Sequence, residues 1–93
     1  MASLSIVQPD LIGADLRGQD FSHADLAGRD LSRADLRGAN LDKTDLRYCV
    51  NLNEAKLEGA SLRGANLSGV DLSGADLKKA DLSEAAMQRA VLE

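Results

Sequence analysis

A large apolar residue recurs at every fifth position along almost the whole chain. The first series of these centres is Ile6, Leu11, Leu16, Phe21, Leu26, Leu31, Leu36, Leu41 and Leu46, and after one six-residue step it resumes at Leu52, Leu57, Leu62, Leu67, Leu72, Leu77, Leu82, Met87 and Leu92. In an α-helix, at about 100° per residue, five steps would place successive centres roughly 140° apart around the axis. They would form no single buried face, so the period excludes an amphipathic helix.

The residues around each centre favour a very short strand followed by a turn. The position two before the centre is usually Ala and the position directly before it is usually Asp or Asn, as in Ala14-Asp15-Leu16. Alternate residues of a strand point to the same side, so Ala and Leu are expected inside and Asp outside. All eight glycines fall two positions after a centre, where a turn with positive φ is expected. Units this short cannot bury a core alone, so they must wind into a solenoid.

Several five-residue runs resemble the A-(D/N)-L-x-x signature of pentapeptide-repeat proteins. Ala14-Asp15-Leu16-Arg17-Gly18, Ala65-Asn66-Leu67-Ser68-Gly69 and Ala75-Asp76-Leu77-Lys78-Lys79 carry the resemblance, which covers roughly residues 4–92. It implies an all-β fold, a right-handed quadrilateral parallel β-helix with four units per coil. Residues 1–93 would form a single domain of about four and a half coils. Stacking every fourth unit then predicts inner columns such as Leu16, Leu36, Leu57 and Leu77.

Three regions depart from the pattern. We expect residues 1–12 to cap the N-terminal end, because an open solenoid end exposes strand edges and Pro9 has no N–H to leave unpaired. One residue is inserted near Cys49, with Val50 keeping the inward position before Leu52. The C-terminal end, residues 83–93, is apolar on both sides and predicts either a last coil or a short helix with Ser83 as N-cap.

Composition limits the chemistry that the chain can perform. Eleven Lys and Arg stand against fifteen Asp and Glu, and a net charge of −4 disfavours electrostatic binding to nucleic acid or an anionic membrane. No apolar run approaches the roughly 18–20 residues of a membrane helix. One Cys and one His cannot form a Cys/His zinc site or an internal disulfide, and we expect no metal or cofactor. The first residues lack a secretory signal and the cysteine is unpaired, so we expect a cytoplasmic protein.

The polar residues do not indicate an enzyme. Ten of the fifteen acidic residues directly precede a centre, a regular spacing that favours turn-stabilising hydrogen bonds over a catalytic carboxylate pair. Ser22, His23 and Asp25 are the residue types of a hydrolase, but no strained nucleophile turn surrounds Ser22. The glycines are periodic and do not form a phosphate-binding loop. A regular rod also offers few concave sites.

We therefore expect a small scaffold or protein-interaction module that binds a protein of unknown identity. The family resemblance implies an alternative, because some members are acidic dimeric rods that imitate DNA, bind DNA gyrase and protect it from quinolones. The small net charge and the basic residues between the acids make this alternative less favoured. A regulatory role in a photosynthetic or nitrogen-fixing bacterium is suggested by the family alone.

The sequence also points to particular contact residues. Tyr48, the only tyrosine, lies at the insertion and is a candidate partner contact. At the C-terminal end, Met87, Val91 and Leu92 are expected to form a homodimer contact, because apolar surface and strand edges would otherwise stay in water. The competing expectation is a monomer whose terminal helix folds back as a cap. Ser32, directly after a centre, is expected to point outward and to be replaceable without loss of stability.

Overall fold

The computed structural model describes residues 11–26, 28–47 and 51–92, which wind into a parallel β-solenoid. Each strand is a single residue, the one directly before an apolar centre, and it forms a parallel bridge with its equivalent one coil later. Bridged partners lie 20 residues apart, as in Asp15–Asp35, or 21 apart across the insertion, as in Asp30–Asn51. The bridges fall into four columns: Asp15, Asp35, Lys56 and Asp76; Asp20, Asn40, Ser61 and Asp81; Asp25, Asp45, Asn66 and Ala86; and the pairs Asp30–Asn51 and Asp71–Val91. The predicted stacking of every fourth unit is confirmed, whereas the hand and the number of coils in the whole chain stay predictions.

Backbone hydrogen bonds extend each column beyond the bridge residue. The amide of Leu16 donates to the carbonyl of Asp35 at 2.8 Å, and the amide of Leu36 donates to that of Lys56 at 2.8 Å. In the opposite direction, the amide of Asp35 donates to the carbonyl of Ala14 at 2.9 Å. Every coil between two others therefore has hydrogen-bond partners on both sides, as in a parallel sheet.

A tight turn follows each centre and makes the corner of the coil. In the first one, the amide of Ala14 donates to the carbonyl of Leu11 at 3.0 Å, and Gly13 between them has a φ of 68°. A positive φ at the third residue of such a turn defines type II geometry, for which glycine is the favoured residue. All eight glycines occupy this position, as expected, but seven other residues adopt the same conformation with φ between 58° and 64°: His23, Arg33, Lys43, Glu54, Lys79, Glu84 and Arg89. Those seven side chains carry a steric cost that glycine avoids.

The core is a set of stacked leucines flanked by alanines. The centres from Phe21 to Leu72 are all at least 97% buried, and Ala34, Ala55 and Ala65 are completely buried. Thr44 replaces alanine in one inner column, and its hydroxyl donates to the carbonyls of Leu41 at 2.6 Å and Phe21 at 3.1 Å. Because both bonds go to backbone oxygens, the core accepts this hydroxyl without an unpaired donor.

The one-residue insertion leaves the columns in register. Leu31 donates to the carbonyl of Asn51 at 3.1 Å, and Leu52, which is 1% exposed, donates to that of Asp71 at 2.8 Å. The described residues on both sides of the insertion, Leu46 and Leu52, are therefore both inward centres of the stacked columns. The assignment of the inward position to Val50 rather than Cys49 concerns residues outside the described part of the chain.

Residues 83–92 continue the coil and do not form the short C-terminal helix. Ala86 forms a bridge with Asn66, and Val91 forms one with Asp71, each closed by a turn of the same kind as the preceding ones. The coil before this segment offers backbone hydrogen-bond partners in register, and this pairing outweighs the intrinsic helix propensity of the segment. No helix occurs among the described residues, so none of them provides a membrane-spanning helix.

Of the predicted N-terminal cap, residues 1–12, the structure describes residues 11 and 12. Residues 1–10 lie outside the described ranges, and Ile12 is 41% exposed. Arg29, which takes an inward position usually held by alanine, is half-buried with its Nε shielded from solvent. It therefore does not extend fully outward, as such a charged side chain would be expected to do.

Candidate interaction surfaces

The outward Asp and Asn residues stabilise the turns that follow them. In each case one side-chain oxygen accepts a hydrogen bond from the backbone amide two residues later, for example from Ser22 to Asp20 at 3.0 Å. The other residues that accept in this way are Asp15, Asp30, Asp35, Asn40, Asp45, Asn51, Asn66, Asp71, Asp76 and Asp81. These are Asx turns, and they assign the periodic carboxylates to structure, as the sequence predicted.

Arginines pair with several of these carboxylates on the surface. Arg17 lies 2.8 Å from Asp15, Arg37 lies 2.7 Å from Asp35, and Arg47 lies 2.9 Å from Asp45. The hydrogen bond from Arg37 lowers the pKa of Asp35 to about 2. Alternating signs along the faces break up the negative field that the acidic residues would otherwise produce.

Asp42 makes the same kind of pair between two coils, which the sequence analysis did not identify. It follows a centre instead of preceding one, and its carboxylate accepts from the Arg63 guanidinium at 2.8 Å, from the Arg63 amide at 3.0 Å and from the Ser61 hydroxyl at 2.5 Å. The Arg63 and Ser61 side chains lower the pKa of Asp42 to about 2. An acid and a base at equivalent turn positions, 21 residues apart, were the available sequence signal.

Ser32 is buried, whereas the sequence predicted an exposed residue that points outward. It is 8% exposed, and its hydroxyl donates to Asp30 at 2.5 Å while also contacting the side-chain oxygen of Asn51 in the next coil. The predicted exposure is wrong because neighbouring coils lie only about 4.8 Å apart, so short turn side chains cover one another.

The hydrolase-type residues are not brought together as a catalytic unit. The Ser22 hydroxyl donates to Asp20 at 2.7 Å, so its proton is directed at a turn-stabilising carboxylate and not at His23. His23 is exposed and takes the positive-φ corner position. Among the described residues, no group of three or more His, Cys, Asp or Glu side chains is arranged to hold a metal ion.

The last coil, residues 75–92, leaves apolar side chains in water. Val91 is 45% exposed and Leu92 is 58% exposed, whereas Met87 is half-buried and packs against the core. The structure thus places two of the three predicted contact residues on the surface and the third beside the core. Tyr48, the fourth predicted contact, lies outside the described residues.

This coil also contains backbone amides that have no acceptor among the described residues. In the column of Leu16, Leu36 and Leu57 each amide donates to the following coil. Leu77 continues this column, and Leu82 and Met87 continue two of the other columns. Within the described residues, no acceptor is present for the amides of these three residues. Open amides beside exposed apolar side chains form a strand edge that can pair with another chain.

The stacked five-residue units and the periodic Asx turns agree with a match to the model of one protein family. The family model of pentapeptide repeats matches residues 10–47 and 48–89. The chain belongs to the pentapeptide-repeat family. No curated protein matches this pentapeptide-repeat chain significantly.

Solved structures of other pentapeptide-repeat proteins are similar to the chain. HetL, which is involved in heterocyst differentiation regulation in the cyanobacterium Nostoc sp. strain PCC 7120, is 37% identical with a TM-score of 0.84; the match covers 90% of this chain and 40% of HetL. A protein from the Arabidopsis thaliana thylakoid lumen is 30% identical with a TM-score of 0.82, over 99% of this chain and 60% of that one. A second Nostoc protein is 32% identical with a TM-score of 0.52, over 91% and 85% of the two chains. The chain therefore spans about half the length of the first two relatives and shares the quadrilateral β-helix of the family.

Proposed function

We propose that the chain is a non-catalytic module that binds a protein partner through its surface. The observation that carries this proposal is the state of its polar side chains, since the outward carboxylates are engaged in Asx turns and ion pairs within the solenoid. The interior supports it as well, because the leucine columns are packed closely and leave no room for a substrate. A regular surface held rigid in this way suits recognition by another protein.

The alternative, a DNA mimic that binds gyrase, finds less support. Arg17, Arg37 and Arg63 each lie beside carboxylates that would have to imitate phosphates, and Lys56 occupies a bridge column of otherwise acidic residues. A mimic needs a nearly uninterrupted negative field. We expect supercoiling by purified gyrase to be unaffected by the chain, and inhibition at stoichiometric concentration would favour the alternative.

Affinity capture from an extract of the source organism tests the proposal. The tagged chain should retain one protein that forms a stoichiometric complex when both components are purified and remixed. A variant of the same net charge, in which Arg17 and Asp15 are exchanged, controls for unspecific electrostatic capture. If the extract yields nothing beyond what an unrelated protein of charge −4 retains, the interaction module is refuted. The cytoplasmic location expected from the sequence stays a prediction.

We further propose that two copies of the chain associate through the last coil. Val91 and Leu92 are exposed, and the amides of Leu77 and Met87 have no acceptor among the described residues. Both observations support this proposal, because a two-fold contact would bury the two side chains and pair the two amides. Light scattering after size exclusion should give a dimer that Val91→Asp converts to a monomer. Ile12→Asp, at an equally exposed apolar residue in the first described turn, should leave the dimer intact. A monomeric wild type, or a dimer that persists in Val91→Asp, overturns the contact.

A further inference from the structure

One corner of the solenoid carries a groove that we call the basic groove. It is open to solvent, is lined by Arg47, Ser68, Gly69, Gln88 and Arg89, and has a volume of roughly 520 Å³. Among the described residues, two guanidiniums, one amide and one hydroxyl line it, and no carboxylate side chain does. In a protein with a net charge of −4, this is a local concentration of hydrogen-bond donors.

The stacking of coils builds this groove from equivalent turn positions. Arg47, Ser68 and Gln88 each follow a buried or half-buried centre directly, in three successive coils about 4.8 Å apart. The amide of Gly69 donates to the carbonyl of Gln88 at 2.9 Å, which ties two of the coils together. A Cβ built on Gly69 would meet no atom within 4 Å, so the space above this glycine is open.

The charge of the groove arises because the neighbouring acidic column ends. That column runs through Asp25, Asp45, Asn66 and Ala86, and of the three members that directly precede the centres of the groove coils, Asp45 alone carries a carboxylate. Asp45 pairs with Arg47 at 2.9 Å. Arg89 is exposed and its side chain makes no hydrogen bond or ion pair with any described residue, unlike Arg17, Arg37 and Arg63. Its guanidinium donors are therefore available to a ligand.

We propose that the basic groove binds a carboxylate side chain of a protein partner. The planar fork of Arg89 matches two carboxylate oxygens, and the Gln88 amide and the Ser68 hydroxyl add further donors. The volume fits one or two side chains, being within the range of roughly 300–1,000 Å³ found for small-ligand sites. The overall negative charge opposes a long polyanion such as a nucleic acid. This inference rests on the proposed function as an interaction module and names the chemistry that the module recognises.

A titration of the isotope-labelled chain followed by NMR tests the groove directly. The probe is a short peptide with two adjacent glutamates, and its counterpart with two glutamines is the control peptide. We expect saturable shifts of the Gly69 and Gln88 amides with the glutamate peptide and none with the glutamine peptide. Inorganic phosphate, added in a separate titration, should bind more weakly than the glutamate peptide.

Two arginine variants separate the groove from the rest of the surface. Arg89→Gln should reduce the affinity for the glutamate peptide by about tenfold or more, which is the loss expected for a charge-assisted bidentate contact. Arg33→Gln is the matched control, because Arg33 is also exposed and has the same corner conformation, with a φ of 58° against 64° for Arg89, but does not line the groove. It should bind the peptide as the wild type does. Both variants should keep the urea midpoint of the wild type.

Several results would overturn the proposal. These are an absence of saturation with the glutamate peptide, an equal response to the glutamine peptide, tighter binding of phosphate, or an equal loss of affinity in both arginine variants. A partner that is captured equally well by Arg89→Gln would refute the groove and leave the interaction module standing. A groove that binds the peptide in a chain that captures no partner would refute the interaction module and leave the groove standing.

Discussion

The central coils, residues 31–72, and the last coil, residues 75–92, have the same repeat but differ in burial. Leu57 and Leu77 stand in one column, each two residues after an alanine, yet Leu57 is completely buried and Leu77 is partly exposed. Ala55 is likewise buried and Ala75 only partly so. The difference arises because a centre is enclosed by the coils before and after it, and the last coil has a described neighbour on one side only. In a solenoid, stability depends on the neighbours of a repeat as much as on the repeat.

The largest expected contrast is between two leucines of one column. Leu36→Ala should reduce the free energy of unfolding by about 2–5 kcal/mol, because the cavity lies between two coils. Leu77→Ala should cost less than about half of that, since solvent already reaches the site. Urea denaturation of both variants measures the difference. The comparison applies to the monomer, so it is made at a protein concentration at which light scattering shows a monomer. Equal losses of stability there would mean that solvent does not reach Leu77.

Acid should destabilise the central coils through their paired carboxylates. The folded protein lowers the pKa of Asp42 from the ordinary aspartate value of 3.8 to about 2, and it lowers the pKa of Asp35 to about 2 as well. Because these folded-state pKa values are depressed, the stability they contribute is present above pH about 4 and is lost as pH falls towards 2. Urea midpoints measured between pH 5 and 2 should therefore decline.

A pair of aspartates compares the two regions in the same experiment. Asp42→Asn removes the contact between coils to Arg63 and should flatten the acid dependence. Asp81→Asn in the last coil should flatten it less, because a hydrogen bond from Ser83 within the same turn is the main cause of the lowered pKa of Asp81. A larger effect at Asp81 would show that contacts within a turn outweigh those between coils.

Two serines provide the next smaller contrast. Ser32→Ala should cost about 1 kcal/mol, because it removes a buried hydroxyl that donates to Asp30 and contacts Asn51. Ser83→Ala, at an exposed serine whose hydroxyl donates to Asp81 in the same turn, should change stability by less than about 0.5 kcal/mol. Thermal or urea unfolding measures this difference. If Ser32→Ala left the stability unchanged, the contact of Ser32 with Asn51 in the next coil would not contribute to stability.

The smallest effect should be the same in both regions. Arg33 and Lys79 take corner positions with φ values of 58° and 60°, which strain any residue except glycine. Arg33→Gly and Lys79→Gly should each stabilise the protein by about 0.5 kcal/mol, the relief of strain being partly offset by the greater freedom of glycine when unfolded. Because this cost is local to one turn, unequal gains would indicate that one side chain makes a contact the other lacks.

The candidate surfaces could be predicted only in part. Val91 stands out in the sequence because it replaces the usual outward Asp, and Leu92 is the apolar centre that follows it. The basic groove does not, since Arg47, Gln88 and Arg89 are unremarkable until coils bring residues some 40 positions apart together. The pair of Asp42 with Arg63 was missed for the same reason.

The sequence by itself determined the repeat, the inward and outward positions, the glycine corners and the family, because each is a property of five consecutive residues. It left open whether residues 83–92 continue the coil or form a helix, and it misjudged the exposure of Ser32. Only the tertiary structure decided these points, because the partner of each group lies one coil away. A backbone amide or a hydroxyl is satisfied or buried according to what stands about 4.8 Å above or below it, and that distance corresponds to 20 or 21 residues along the chain.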